Sequence, residues 1–162
     1  MAGAGVENGH YSNLVEEDLF RLLLHLELQK AVRLQYCVSV VCLAPDLPQG
    51  TVDGALAKKI AETAVRHLRG TDVATAFAAG PTIGLLLIDA DTRTLPQILE
   101  RAREGAQAAV QAHAATEQPV SLSAGGSCYP ETATTGRDLM RQATDLMTRA
   151  QAEGGDRFYL PI

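Results

Sequence analysis

The chain has 162 residues, of which 46% are hydrophobic and 20% charged, with a formal net charge of -5. A chain of this length and composition is expected to form one domain with a substantial core. The acidic balance argues against a general nucleic-acid surface, although it leaves room for a local basic pocket. Because no apolar run approaches the roughly 20 residues of a membrane helix and no signal-peptide pattern opens the chain, we expect a cytoplasmic protein with no membrane partner.

The first part of the chain predicts a loose tail followed by a long helix. Residues 1–12 are polar and Gly-rich and are expected to form a flexible N-terminal tail, with the domain itself over 13–162. Asn13 is a preferred N-cap residue and Glu16 stands three positions later, so a capping box is predicted at the start of a helix over 14–35. This helix has more apolar positions than one core-facing stripe requires. The surplus predicts a surface for a protein partner or for a second copy of the chain.

The next segments predict a buried strand and a second helix. Residues 36–43 (YCVSVVCL) are rich in β-branched residues and almost continuously apolar, as in a central strand. After a Pro-rich break, a helix is predicted over 52–68, and Gly70 suits the C′ position that ends it.

The second half of the chain predicts a β-hairpin among alternating helices and strands. Two short apolar runs, 72–78 and 82–88, flank Ala79-Gly80-Pro81, and a Gly-Pro turn between such runs is typical of a hairpin. The remaining predicted elements are a helix over 95–114, a strand over 119–127, a last helix that Thr135 caps and that stops at Gly154-Gly155, and a short strand over 157–160. The hairpin makes the sheet mixed, so the predicted class is α+β with helices on the sheet faces.

The order of these elements resembles the GGDEF (diguanylate cyclase) family over nearly the whole chain. Three stretches carry the resemblance: the strand 36–43 followed by Asp46, the segment 120–125 (VSLSAG) and the segment 143–158 (ATDLMTRAQAEGGDRF). The resemblance implies a nucleotidyl cyclase-like mixed sheet with a central antiparallel hairpin. It also implies a link to cyclic di-GMP, which active members make from two GTP molecules across a homodimer, with metal ions held by carboxylates.

The sequence departs from the family at the positions that carry catalysis there. The turn that holds the Gly-Gly-Asp/Glu-Glu-Phe sequence in the family reads AGPTI over 79–83 and lacks the acidic pair. The position of the first strand carboxylate is Ala44, whereas Asp46 matches the second acidic residue. Gln151 and Gly155 replace phosphate-binding Lys and Arg residues, and the shortened loop after Asp46 leaves no counterparts for the guanine contacts. We therefore predict no catalytic residue, no metal, no cofactor and no enzyme activity.

A second, inhibitory site of the family is matched better. Many members bind the product there through an Arg-x-x-Asp tetrad before the hairpin and an Arg on the following helix, and Arg69, Asp72 and Arg101 match these three positions. An Arg fork can meet a phosphate or the edge of a guanine with two hydrogen bonds, and an Asp can accept from guanine N–H groups. The resemblance thus implies an inactive cyclic di-GMP receptor that signals to a protein partner. The alternative is a ligand-free interaction or dimerisation module, and residual GTP binding ranks below both.

Each of these three residues also has a purely structural interpretation. Arg69 near a helix end favours the helix dipole, and Asp72 can simply pair with it in a surface interaction of ~0–1 kcal/mol. Arg101 lies in a charged segment, LERARE, where solvated arginines are common.

Other polar residues offer no clear site in the sequence. The three cysteines, Cys37, Cys42 and Cys128, lack metal-ligand spacing, and their number is odd, which fits a reducing cytoplasm. Two of them lie inside apolar strand runs and are expected to be buried thiols. The acids Asp46, Asp53, Asp89 and Asp91 are expected to break or cap elements rather than to bind metal. Ser121, Ser123 and Ser127 have no evident His or Asp partner, so no hydrolase triad is predicted.

Overall fold

A five-stranded mixed sheet with two helices on each face forms the fold in the computed structural model of the chain. The structure describes residues 6–7, 10–11, 13–47, 54–78, 80–114 and 120–161. The elements in chain order are β1 (Val6–Glu7), β2 (His10–Tyr11), α1 (Glu17–Leu34), β3 (Val38–Pro45), α2 (Gly54–Val65), β4 (Val73–Ala76), β5 (Ile83–Ile88), α3 (Leu95–Ala114), β6 (Leu122–Tyr129), α4 (Gly136–Ala152) and β7 (Phe158–Tyr159). The predicted α+β class with a central antiparallel hairpin is confirmed.

Strand β3 is the centre of the sheet. The strand order is β4-β5-β3-β6-β7, and β3 pairs antiparallel with both of its neighbours. The short β7 is parallel to β6, which makes the sheet mixed. All 8 residues of β3 are buried, which explains why its sequence is almost continuously apolar rather than alternating.

Successive residues of β3 face opposite helical layers. Val41 and Leu43 pack against α2 and α3, whereas Val40 and Cys42 pack against α1 and α4. Helix α4 lies very close to β6. A Cβ atom at Gly125 of β6 would stand 2.3 Å from the carbonyl oxygen of Ala143 in α4. A glycine at this position is therefore what allows α4 to rest directly on the strand.

Local sequence signals placed several elements correctly. Helix α3 spans Leu95–Ala114, the range that its periodicity predicts, and Thr135 caps α4 by accepting the backbone N–H of Asp138 at 3.1 Å. The hairpin forms with Ala76 opposite Ile83. Residue Ala79 of its turn lies outside the described residues.

Two predicted helix caps are wrong. Helix α1 begins at Glu17 with Glu16 at its N-cap position, so Asn13 does not cap it. Asn13 instead donates from its side-chain amide to the carbonyl oxygen of Asp72 at 2.7 Å, a tertiary contact that competes with local capping. Helix α2 ends at Val65, and Gly70 lies in a separate turn rather than at the C′ position.

The segment predicted as a tail contains a short strand pair. Val6 pairs with Tyr11 and Glu7 with His10, in antiparallel orientation. Residues 1–5, 8–9 and 12 of the predicted tail lie outside the described residues.

Among the helices that the structure describes, none is both long enough and apolar enough to cross a membrane.

Candidate ligand-binding site

The carboxylate of Asp72 anchors the corner between α2 and β4. Its side chain is only 4% exposed. One oxygen, Oδ1, accepts the backbone N–H of Ile88 at 2.8 Å, and the other, Oδ2, accepts the backbone N–H of Arg69 at 3.2 Å. A buried carboxylate requires such donors, because an unsatisfied charge in the interior is costly. Asp72 therefore joins the turn before β4 to the end of β5.

Arg69 is held beside this carboxylate but keeps most of its side chain in solvent. Its Nε lies 3.7 Å from Asp72 Oδ2, and its side chain is 59% exposed. A second nitrogen, Nη2, donates to the backbone carbonyl of Ile88. These contacts orient the guanidinium over the end of β5 while leaving one of its faces accessible to an anion or a planar base.

The turn between Arg69 and Asp72 is held by Asn13, a residue from the N-terminal part of the chain. The amide of Asn13 donates to the carbonyl oxygens of Arg69 at 3.2 Å, of Gly70 at 3.3 Å and of Asp72 at 2.7 Å. The Arg69 carbonyl also accepts the backbone N–H of Asp72 at 3.0 Å. Together these contacts shape the turn that carries Arg69. The separation of more than fifty residues along the chain explains why the sequence did not reveal this role of Asn13.

Arg101 is exposed on α3. Within the described ranges, its side chain makes no hydrogen bond or ion pair, with Arg69 and Asp72 or with any other residue. The structure thus brings Arg69 and Asp72 into contact, whereas Arg101 contacts neither of them directly.

A buried arginine two residues later was not recognised in the sequence. The side chain of Arg103 is 10% exposed and donates to Asp156 Oδ1 at 2.6 Å, to Glu100 Oε2 at 3.0 Å and to the carbonyl oxygen of Leu122 at 3.2 Å. It therefore joins α3 to β6 and to the turn after α4. Helical periodicity alone marks this position as inward-facing, but the segment LERARE reads as a solvated charged face.

Asp46 is a structural acid at the C-terminal end of β3. Its Oδ1 accepts from the Ser123 hydroxyl at 2.8 Å, and its Oδ2 accepts from the Ser121 hydroxyl at 2.7 Å and from the backbone N–H of Asp156 at 2.8 Å. A Cβ atom at Gly155 would stand 2.7 Å from Oδ2, so the turn fits closely around the carboxylate. Both serines thus have an acidic partner that the sequence did not reveal.

The cysteines divide between the two faces of the sheet. Cys42 is buried towards α1 and α4, as expected for a core thiol. The other two, Cys37 and Cys128, lie together on the opposite face, beside Glu131. They are far apart in the sequence, and antiparallel pairing of β3 with β6 brings them together.

Sequence comparison identifies a family. The family described as "Diguanylate cyclase, GGDEF domain" matches residues 50–157. A sequence comparison with curated proteins gives no match.

Solved structures support the same fold. The coiled coil and GGDEF domain of DgcB from Caulobacter crescentus, in complex with c-di-GMP, superposes with a TM-score of 0.75 at 14% identity, over 93% of this chain and 83% of that one. The GGDEF domain of YfiN (TpbB) from Pseudomonas aeruginosa gives 0.73 at 21% identity, over 93% and 98% of the two chains. The diguanylate cyclase SiaD from the same organism, in complex with its activator SiaC, gives a TM-score of 0.74 at 17% identity. This match covers 93% of this chain and 60% of SiaD. At these identities the likeness establishes the fold alone.

Proposed function

Because this chain belongs to the GGDEF family of diguanylate cyclase domains, we propose that it is a cyclic di-GMP receptor without cyclase activity, which passes its ligand state to a protein partner. The observation that carries the proposal is the exposed Arg69 guanidinium, oriented by Ile88 and Asp72 at the corner before the hairpin. DgcB, a relative in fold, was solved with c-di-GMP bound.

The absence of enzyme activity rests on the missing carboxylates. Joining two triphosphates requires metal ions, and the metal ions require carboxylate ligands. The matched strand position is Ala44, which is buried, and the acidic position of the turn falls at Pro81 or Thr82, neither of which carries a carboxylate. The remaining acid, Asp46, already accepts three hydrogen bonds. We therefore assign Asp46 to holding the end of β3.

The chemistry of the ligand suits the residues that remain. Cyclic di-GMP carries two phosphodiesters and two guanines, and a guanidinium can donate two parallel hydrogen bonds to either group. Arg69 and Arg101 both expose their side chains, so a ligand can reach either guanidinium from solvent. No metal ion is needed for such recognition.

Asp72 has a different role in this proposal from the direct guanine contact that the sequence suggested. Its carboxylate is buried and already accepts two backbone N–H groups. We assign it to positioning Arg69, with ligand contacts made by Arg69 and Arg101. A direct contact with the ligand would require the corner to open and expose the carboxylate.

A titration separates this proposal from its alternatives. In calorimetry with cyclic di-GMP, the unaltered chain is expected to bind, Arg69→Ala and Arg101→Ala to weaken binding at least about tenfold each, and Arg137→Ala to bind normally. Arg137 is a matched control, because it is an exposed arginine on α4, across the sheet from α3. No heat at ligand concentrations well above micromolar would overturn the receptor proposal.

The lack of enzyme activity has its own test. Incubation with GTP and either magnesium or manganese is expected to yield no cyclic dinucleotide. Any such product would overturn the assignment, whatever the result of the calorimetry.

The second candidate function is a ligand-free interaction or dimerisation module. Helix α1 favours it, because four large apolar side chains are exposed there: Leu22, Leu26, Val32 and Leu34. SiaD shows that a relative in fold can be solved with a protein partner. Sedimentation of the purified chain tests this function, and a monomer that copurifies with no partner would weigh against it.

A further inference from the structure

A pair of thiols and a carboxylate converge at the end of the sheet opposite Asp46. Cys37 immediately precedes β3, whereas Asp46 follows β3 directly, so the full length of the central strand separates the two sites. One ligand atom from each of Cys37, Cys128 and Glu131 lies within 4.8 Å of the other two. We propose that these three residues form a binding site for one zinc ion or a similar borderline-soft divalent cation.

The strand register explains why the two thiols meet. Cys128 on β6 pairs with Ser39 on β3. Cys37 precedes Ser39 by two positions, and residues two apart on a strand share a face. The two cysteines are therefore diagonal neighbours on the face that α2 and α3 cover, and Glu131 follows Cys128 in the turn after β6.

The spacing suits a tetrahedral cation after small side-chain adjustments. A tetrahedral zinc ion with Zn–S bonds of about 2.3 Å and Zn–O bonds of about 2.1 Å places its ligand atoms roughly 3.6–3.8 Å apart. Cys128 Sγ stands 4.0 Å from Glu131 Oε1. Since both side chains can rotate, a shift of about half an ångström closes this gap. The pairs that include Cys37 lie within 4.8 Å and need a shift of at most about 1 Å. The three protein ligands leave a fourth position for water.

The surroundings already orient two of the proposed ligands. The Thr92 hydroxyl donates to Glu131 Oε2, which directs the other oxygen, Oε1, towards the thiols. The backbone N–H of Cys128 donates to the Thr132 hydroxyl at 2.9 Å, which holds the strand end in place. The hydrogen bond from Thr92 to the Glu131 carboxylate is of a kind that is typical of metal sites, where a second residue orients the ligand.

The site is accessible and acidic. Cys128 is buried, but Cys37 is half-buried and Glu131 is exposed, so an ion can enter from the side of the carboxylate. Three carboxylates, those of Glu131, Asp91 and Asp89, lie close enough to Cys37 to act on it electrostatically. The same three negative charges favour a cation in this position.

Cobalt spectroscopy and zinc binding test the site in the reduced 162-residue chain. With Co²⁺ as the probe, we expect one ion per chain and the intense thiolate-to-cobalt charge-transfer absorption of a tetrahedral site. Zinc is expected to displace the cobalt and abolish this absorption. Cys37→Ser should remove most of the charge-transfer intensity, and Thr92→Val should weaken zinc binding about 10- to 100-fold in competition with a chromophoric chelator.

The third cysteine supplies the control. Cys42→Ser alters a thiol on the opposite face of the sheet and should leave the stoichiometry and the charge-transfer band unchanged. Because Cys128 is buried and its variants risk misfolding, Cys37→Ser and Glu131→Gln carry the test, with circular dichroism to verify their fold. The proposal is overturned if the unaltered chain and Cys37→Ser bind cobalt alike. It is equally overturned if the reduced, unaltered chain binds no cobalt.

Discussion

The Asp72 carboxylate accepts the backbone N–H of Ile88 at 2.8 Å and so ties the turn before β4 to the end of β5. The same residue, Ile88, accepts a hydrogen bond from the Arg69 side chain through its carbonyl oxygen. One peptide segment at the strand end therefore positions both members of the Arg-x-x-Asp tetrad. As a result, the Asp72 carboxylate is fixed and the Arg69 guanidinium is oriented and exposed, so the two are not freely solvated side chains.

Replacing Asp72 with Asn tests this arrangement. The amide can accept only through one oxygen, so a buried N–H loses its partner, and we expect the free energy of unfolding to fall by about 1–3 kcal/mol. Urea denaturation measures the change. Asp145→Asn is the control, because Asp145 is exposed on α4, and it should shift stability by less than about 0.5 kcal/mol. Equal effects of the two substitutions would contradict the anchoring role of Asp72.

Substitutions of Arg101 and Arg103 are expected to have different effects, the first on cyclic di-GMP binding and the second on the free energy of unfolding. Arg103 is buried and donates to Asp156, Glu100 and Leu122, so Arg103→Ala should destabilise the chain by about 2–3 kcal/mol through lost packing and charge-assisted hydrogen bonds. Arg101→Ala should change stability by less than about 0.5 kcal/mol, because the side chain is exposed.

The two arginine variants are then compared in ligand binding. Arg101→Ala is expected to weaken cyclic di-GMP binding while melting at the same temperature as the unaltered chain. Arg103→Ala is expected to melt earlier but, at a temperature where it is folded, to bind normally. If the affinity for cyclic di-GMP fell only in the variant whose melting temperature fell, Arg101 would not be a ligand contact.

Gly125 should tolerate no side chain. A Cβ atom there would stand 2.3 Å from the carbonyl oxygen of Ala143 and 2.5 Å from the backbone nitrogen of Met147. Both contacts are with backbone, so α4 would have to move away from β6, and Gly125→Ala should cost at least about 2 kcal/mol. Gly70→Ala is the matched control: a Cβ there meets nothing within 4 Å, and the change is expected to be neutral or stabilising by up to about 1 kcal/mol. Thermal or chemical denaturation distinguishes the two.

Cys42 is expected to make stability fall in alkaline solution. Burial raises its pKa to about 11, while a hydrogen bond with Thr144 and the charge of Arg21 lower it by less. On the flanking strands its register partners are Gly84 and Gly125, which carry no charge. The folded state thus favours the neutral thiol. This contribution is complete below the ordinary thiol pKa and is lost as the pH rises towards 11, because the unfolded chain releases the proton first.

The measurement is a difference between two proteins. From pH 8 to pH 10 the unaltered chain should lose about 1 kcal/mol more stability than Cys42→Ala, since one pKa unit corresponds to about 1.4 kcal/mol. Other titrating groups, including Cys128, are present in both proteins and cancel. Parallel pH profiles for the two proteins would show that Cys42 does not titrate differently on folding.

Local chemistry made several features of this protein readable from its sequence. Thr135 caps α4 because a hydroxyl three residues before a free N–H is a short-range arrangement, and α3 follows its apolar period over its whole predicted length. The continuous apolar run of β3 likewise predicted a central strand, and the strand is buried on both faces. The α+β class followed from the order of such elements, and the resemblance to the GGDEF family rested on the same order.

The tertiary structure alone decided which distant groups meet. Asn13 closes the turn at Arg69, Arg103 reaches Asp156, and Cys37 approaches Cys128 only because strands and helices from remote parts of the chain are packed in one register. Burial also determined that Asp72 is an anchor, since exposure of a carboxylate depends on its packed neighbours rather than on its own sequence. Propensities and caps act over a few residues, whereas partner choice and desolvation arise from contacts between segments that the linear sequence keeps apart.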